Sequence, residues 1–276
     1  IWGSGSGQRE YGADCKSMWQ GLTVMDVVVL FLIALVANTL SALAGGGAGL
    51  LQLPVLLMLG LPFPVALATH KIASVALGVG ATARHLRTGR FNWRFAVFVL
   101  ACGLPGVLLG TQVILAVPDH WAELALGLLT LGMGVYSWRR PALGQVAERR
   151  HRDVVGLCWG GLGLFLIGVL NGSLTSGTGL FVTLWLIRWF GLDYVRAVSY
   201  TLVLVGLFWN GLGATMLSVQ APVRWDWLPP LLAGSLVGGY LGAHWSLLKG
   251  SRLVKLAFEG LTVVAGLKLI VDACSV

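Results

Sequence analysis

Leu40-Ser41-Ala42-Leu43-Ala44-Gly45-Gly46-Gly47-Ala48-Gly49-Leu50 interrupts one apolar run, and Asn171-Gly172-Ser173-Leu174-Thr175-Ser176-Gly177-Thr178-Gly179-Leu180 interrupts another about 130 positions on. In lipid every backbone polar group needs a partner, so an unwound segment at membrane depth survives only inside protein or beside a water-filled cavity. The helix that restarts after each break presents unpaired N–H groups and the positive end of its dipole, a geometry that binds anions. The competing reading is close helix packing, for which small residues are also suited. Two breaks at matching positions favour a binding site. In the second break Asn171, Ser173, Thr175, Ser176 and Thr178 line a polar path or cap the broken helix ends, roles that are compatible.

Composition places these runs in a bilayer. The chain is 57% hydrophobic and 11% charged, with a mean hydropathy of +0.82. A water-soluble surface needs about a quarter charged residues, so most of this surface faces lipid. Eight apolar stretches approach the roughly 20 residues of a spanning helix: Val27–Ala44, Val65–Ala83, Phe95–Val117, Leu124–Trp138, Val155–Leu170, Val195–Leu217, Trp227–Leu248 and Leu253–Val271. The longest polar linker, Arg139–Asp153, leaves no room for an inserted soluble domain. The net charge of +8 sits in short loops between apolar segments, the positive-inside pattern, and does not signify nucleic acid. Cys15, Cys102, Cys158 and Cys274 form no CxxC pair and no ligand cluster with His. Residues 1–24, opening Gly3-Ser4-Gly5-Ser6-Gly7, read as a linker foreign to the fold, with Met18 or Met25 as the native start.

The second half echoes the first. Gly47-Ala48-Gly49-Leu50, Gly60-Leu61 and Ala66-Leu67-Ala68-Thr69 have counterparts in Gly177-Thr178-Gly179-Leu180, Gly191-Leu192 and Ala197-Val198-Ser199-Tyr200. Asn92-Trp93-Arg94 matches Arg224-Trp225-Asp226, and Leu104, Gly106 and Gly110 match Leu236, Gly238 and Gly242. An ordered set that includes Gly and Trp is harder to obtain by chance than scattered apolar identities. The expected organisation is a first membrane repeat over 25–138, a basic cytoplasmic linker over 139–153 and a second repeat over 154–276.

Charge sets the direction of each half. Arg84–Arg94, Arg139–Asp153, Arg188–Arg196 and Lys249–Lys255 hold most of the basic residues and belong inside; Gly60–Pro64, Val117–Glu123 and Ser218–Asp226 then lie outside. The apolar stretch between Arg139–Asp153 and Arg188–Arg196 must enter and leave on one side, so it folds as a re-entrant hairpin with a glycine-rich tip. The repeat demands the same hairpin in the first half, entering from the opposite side. The predicted fold is an all-α polytopic membrane protein of two inverted repeats, each a broken, re-entrant helical hairpin plus three spanning helices. In such architectures broken helices meet near the midplane and hold substrate. Parallel halves with fewer crossings are the alternative.

Lys71 lies seven residues beyond Pro64, roughly 10 Å into its helix. A charge at that depth is a functional residue by default, although a long side chain can snorkel to the surface. His70 titrates near neutral pH in water or simply packs. Thr69 and Tyr200 occupy equivalent positions, with Thr201 beside Tyr200, and all are expected to line the path. Glu259 sits four residues after Lys255, as an ion pair near the cytoplasmic surface would. Asn38, Gln52 and Asn210 are assigned to bonds with neighbouring helices. There is no nucleotide-binding loop, and no cofactor or metal is expected. A hydrolase built on Ser173 or Ser176 with His70 lacks a G-x-S-x-G elbow and an orienting acid, so the chain reads as a non-enzyme.

The stretch from Leu40 through the glycine run to Pro54 and Gly60-Leu61-Pro62, followed by Ala66-Leu67-Ala68-Thr69-His70-Lys71, resembles the TauE/SafE sulfite-exporter-like family. Ser176-Gly177-Thr178-Gly179 and Ala197 resemble that family's second repeat. The resemblance covers roughly Met25 to Asp272. It implies a multi-pass permease of the bacterial inner membrane for a small anion such as sulfite, sulfoacetate or another sulfonate, working as a secondary transporter or else as a passive anion channel. It implies substrate contacts at Gly45, Gly46, Gly47, Gly49, Thr69, His70, Lys71, Ser176, Gly177, Thr178 and Gly179; Thr175, Tyr200 and Thr201 join them as the lining expected from the residues themselves. Leu202 stands where a second-half partner to Lys71 would be. The expected partners are the anion and the lipid bilayer, and a homo-oligomer is left open.

Overall fold

The computed structural model describes residues 23–85, 91–113, 119–148, 150–174, 177–220 and 222–274. The expected linker at 1–24 therefore lies almost wholly outside the described residues. So do parts of the predicted loops Arg84–Arg94 and Val117–Glu123.

Among the described residues every regular element is helical. Helix α1 (Val24–Ala44) opens on a capping box, in which Thr23 and Asp26 each satisfy the other's backbone N–H. It closes at Gly45, whose left-handed φ of 90° lets its N–H return to the Ser41 carbonyl. Helix α2 (Ala48–Met58) follows at once. With 21 and 11 residues, α1 and α2 are about 31 and 16 Å long, a full and a half hydrocarbon thickness. After them come α3 (Phe63–His85), α4 (Trp93–Val113) and α5 (Asp119–Trp138).

The second half runs in the same order. A 21-residue α6 (Val154–Leu174) breaks and an 11-residue α7 (Thr178–Arg188) follows. The next rod joins α8 (Tyr194–Tyr200), a π-helical stretch (Thr201–Trp209) and α9 (Asn210–Gln220). Helix α10 (Leu228–Cys274) is bent into two limbs at Gly250, where φ is 75° and ψ −174°. The two stretches expected at Trp227–Leu248 and Leu253–Val271 are these limbs. Among the described residues five rods are long and apolar enough to cross a membrane: Val24–Ala44, Val65–His85, Trp93–Gln112, Val154–Ser173 and Tyr194–Val219.

Small residues set the packing. A Cβ added at Gly234 or Gly238 of α10 would stand 2.5 or 2.6 Å from the Phe31 or Leu35 carbonyl oxygen of α1. Gly106 and Gly110 of α4 meet the Phe165 and Val169 carbonyls of α6 in the same manner. Each long hairpin helix thus lies parallel against a helix of the other half. Helix α3 and the α8–α9 rod cross antiparallel: His85 hydrogen-bonds Ser199 at 2.7 Å, Gly78 backs onto Gly206, and Lys71 reaches Gly213. Around an apolar core, polar side chains are buried and many large apolar ones face outward. Asn38, Gln52, Lys71 and Asn171 are buried, while Val36, Val97, Leu129 and Leu166 are exposed on the outer helix faces. Large exposed apolar faces of this kind need lipid.

Candidate functional site

The two glycine breaks meet. At Gly46 (φ 131°) an added Cβ would fall 2.6 Å from the Cα of Gly179, and one at Gly179 would fall 2.9 Å from the Cα of Gly46. Only two glycines let the tips touch backbone to backbone. Thr183 ties them by donating to the Gly45 carbonyl at 2.7 Å, and its oxygen lies 2.9 Å from that of Thr201. Helices α2 and α7 begin at Gly47 and Gly177, both left-handed and neither providing a side-chain cap. The first N–H groups of both helices therefore have no side-chain partner at the cap, and Ala48, Gly49, Thr178 and Gly179 line one shared cavity of about 40 Å³.

Lys71 places its amine in that cavity. It is 1% exposed, and its Nζ donates to the backbone oxygen and Oδ1 of Asn171 at 3.0 and 3.3 Å. Among the described residues no carboxylate pairs with it. Asn171 in turn donates to Thr178 Oγ1 at 2.7 Å and reaches Asn210 Oδ1 at 3.5 Å. A lysine of the first half is thus held by the end of the long hairpin helix of the second.

A second network lies beside it. His70 Nδ1 meets Gln52 Oε1 at 3.3 Å and Nε2 meets Ser74 Oγ at 3.1 Å. Gln52 Oε1 also accepts from Asn38 Nδ2 at 3.1 Å, which contacts Ser235 as well. With an amide oxygen at Nδ1, His70 donates to Gln52 from that nitrogen, and its Nε2 shares a hydrogen bond with the Ser74 hydroxyl. The Gln52–His70 pair and the Thr183–Thr201 pair occupy corresponding positions of the two halves. Ser41, at the position corresponding to Asn171, lines the cavity with a buried hydroxyl that has no partner among the described residues.

Of the residues expected at substrate, Gly46, Gly47, Gly49, His70, Lys71, Thr178, Gly179 and Thr201 line the cavity. Gly45 and Gly177 shape the turns without lining it. Thr175 and Ser176 lie outside the described residues. Thr69 and Tyr200 face elsewhere. Thr69 Oγ1 accepts from the Arg224 N–H at 3.1 Å, and Tyr200 Oη accepts from the Asn92 N–H at 2.7 Å. Each pins the loop that precedes a helix of the other half. Both act as acceptors for a backbone N–H rather than as cavity lining. Ser41 and Ser74 join the lining without having been singled out in the sequence, and Asn210, assigned there to packing, lies on the cavity wall.

The sulfite exporter TauE/SafE family profile matches residues 30–269, nearly the whole helical body. The chain belongs to the sulfite exporter TauE/SafE family. It is 30% identical over 230 residues to a probable membrane transporter protein of Haemophilus influenzae, covering 83% of this chain and 88% of that one. It is 26% identical to the probable membrane transporter protein YfcA of Escherichia coli, covering 89% and 90%, and 24% identical to probable membrane transporter protein ORF9 of a Sinorhizobium species, covering 92% and 95%. No solved structure matches. This TauE/SafE protein is accordingly a membrane-embedded transporter, and its glycine breaks lie within the matched region.

Proposed function

We propose that this TauE/SafE protein is a secondary transporter of a small anion, bound between the Gly45–Gly49 and Gly177–Gly179 breaks with Lys71 as its counter-ion. The observation that carries the reading is a fully buried lysine without a carboxylate partner, placed where two uncapped helix N-termini converge. Uncompensated, a buried ammonium is costly. An anion in the cavity neutralises it, and the dipoles of α2 and α7 add to the attraction. A water needs about 10–15 Å³ of such space. The cavity of about 40 Å³ therefore favours a compact oxyanion such as sulfite over a bulky sulfonate in this conformation.

The transport reading also takes the halves as inverted in the bacterial inner membrane, with 139–153 cytoplasmic. The antiparallel crossing of α3 with the α8–α9 rod and the matched anchors Thr69 and Tyr200 support it. Rocking of one half against the other would expose the shared cavity to each side in turn. Lys71–Asn171 is a bond between halves that an arriving anion would exchange for its own.

The test is a thermal-shift panel of sulfite, sulfate, thiosulfate, sulfonates and carboxylates, followed by flux in proteoliposomes. Sulfite-dependent stabilisation and flux driven by an imposed ion gradient are expected. No stabilisation by any anion would overturn the site, and flux that follows membrane potential alone would mean a channel. A cysteine at Asp193 that labels from outside the cell would overturn the inverted topology.

A further inference from the structure

The bend of α10 at Gly250 opens a separate groove of about 780 Å³ between that hinge, the end of α5 and the linker. Its floor is electrically closed. Lys255 Nζ donates to the Ser137 and Arg140 carbonyls at 2.8 and 2.7 Å and lies 3.2 Å from Glu259. Glu259 also accepts from Ser137 Oγ at 2.8 Å. Its rim is not closed. Lys249 and Arg252 are exposed and hydrogen-bond or ion-pair with no described residue, and Glu259, already paired, is the one carboxylate lining the groove among the described residues. Beside these two cations stands an apolar wall that includes Trp138 and Leu256, 71% and 65% exposed.

We propose that this groove binds an anionic phospholipid, its phosphodiester on Lys249 and Arg252 and an acyl chain along Trp138, Leu253 and Leu256. Two free cations alone would suit any phosphate. The adjoining exposed apolar wall suits only an amphiphile, and a basic groove between helices beside a basic loop is where anionic headgroups of the cytoplasmic leaflet bind. Seated there, the lipid bridges the end of α5 to the hinge of α10.

Delipidated protein in detergent would be titrated with phosphatidylglycerol, phosphatidylcholine and inorganic phosphate, with bound lipid counted by native mass spectrometry. Phosphatidylglycerol is expected to bind one to one and more tightly than phosphatidylcholine, and millimolar phosphate is expected not to displace it. At about fivefold per charge, Lys249→Gln with Arg252→Gln weakens it about 25-fold, while the exchange Lys249→Arg with Arg252→Lys retains it. Equal binding of the two lipids by the wild-type protein, an unchanged double variant, or displacement by phosphate would overturn the proposal. The double variant keeps its sulfite-dependent stabilisation, so this outcome is separable from failure of the transport reading.

Discussion

Replacing Lys71 with methionine keeps the length of the side chain and removes its charge. An anion about 4 Å from Nζ gains roughly 4 kcal/mol at an effective dielectric constant of 20. Hydrogen bonds to a charged group contribute about 1.5–3 kcal/mol. A loss of about 3 kcal/mol, or about two orders of magnitude in Kd, follows. Stability should move the other way or not at all. The variant leaves the Asn171 oxygens without their donor, costing about 1–3 kcal/mol, but it no longer buries an ammonium, which costs several kcal/mol. The assay is thermal unfolding in detergent with and without anion. Sulfite at 100 times the wild-type Kd stabilises the wild type by about 2.7 kcal/mol and a variant with 100-fold weaker binding by about 0.4 kcal/mol. A folded Lys71→Met protein whose Kd stays within about threefold of wild type would refute the counter-ion assignment.

Gly46→Ala forces a Cβ onto Gly179 at a φ of 131°, so a cost of at least about 2 kcal/mol is expected in unfolding, with loss of anion-dependent stabilisation. Gly211→Ala, which meets open space in a helix, should be neutral or stabilising by about 0.5–1 kcal/mol in the same measurement. Tyr200→Phe removes the bond to Asn92 and is expected to cost about 1–3 kcal/mol while leaving anion Kd unchanged; a changed Kd with normal stability would return Tyr200 to the site. Glu259→Gln strips Lys255 of its ion pair and should lower unfolding stability by about 1.5–3 kcal/mol, again without touching anion affinity.

The breaks were legible because a glycine run inside an apolar stretch has few physical uses in lipid, and the spacing between the two runs gave the pairing of tips. Lys71 was legible because its distance from Pro64 put a charge at depth. Thr69 and Tyr200 were misplaced for a specific reason. Positional equivalence shows that two residues do the same thing, and here that thing is holding the Arg224 and Asn92 backbones. Helical phase could have separated them, since residues 70, 71 and 74 share the cavity wall while 69 turns away. Ser41 could have been found by carrying Asn171 back through the repeat. The π-helical stretch at Thr201–Trp209 had no signal, because nothing in its apolar run separates a π from an α register; in the fold its Gly206 backs onto Gly78 of α3.

The contact between Gly46 and Gly179 binds the histories of the two halves together. Neither tip can acquire a side chain unless the other withdraws, so the two positions cannot drift independently as lineages diverge. In a collection of relatives, a lost glycine at one tip should travel with a compensating change at the other. The two halves, expressed as separate polypeptides divided within 139–153, should complement only when both come from the same lineage or both keep their glycine.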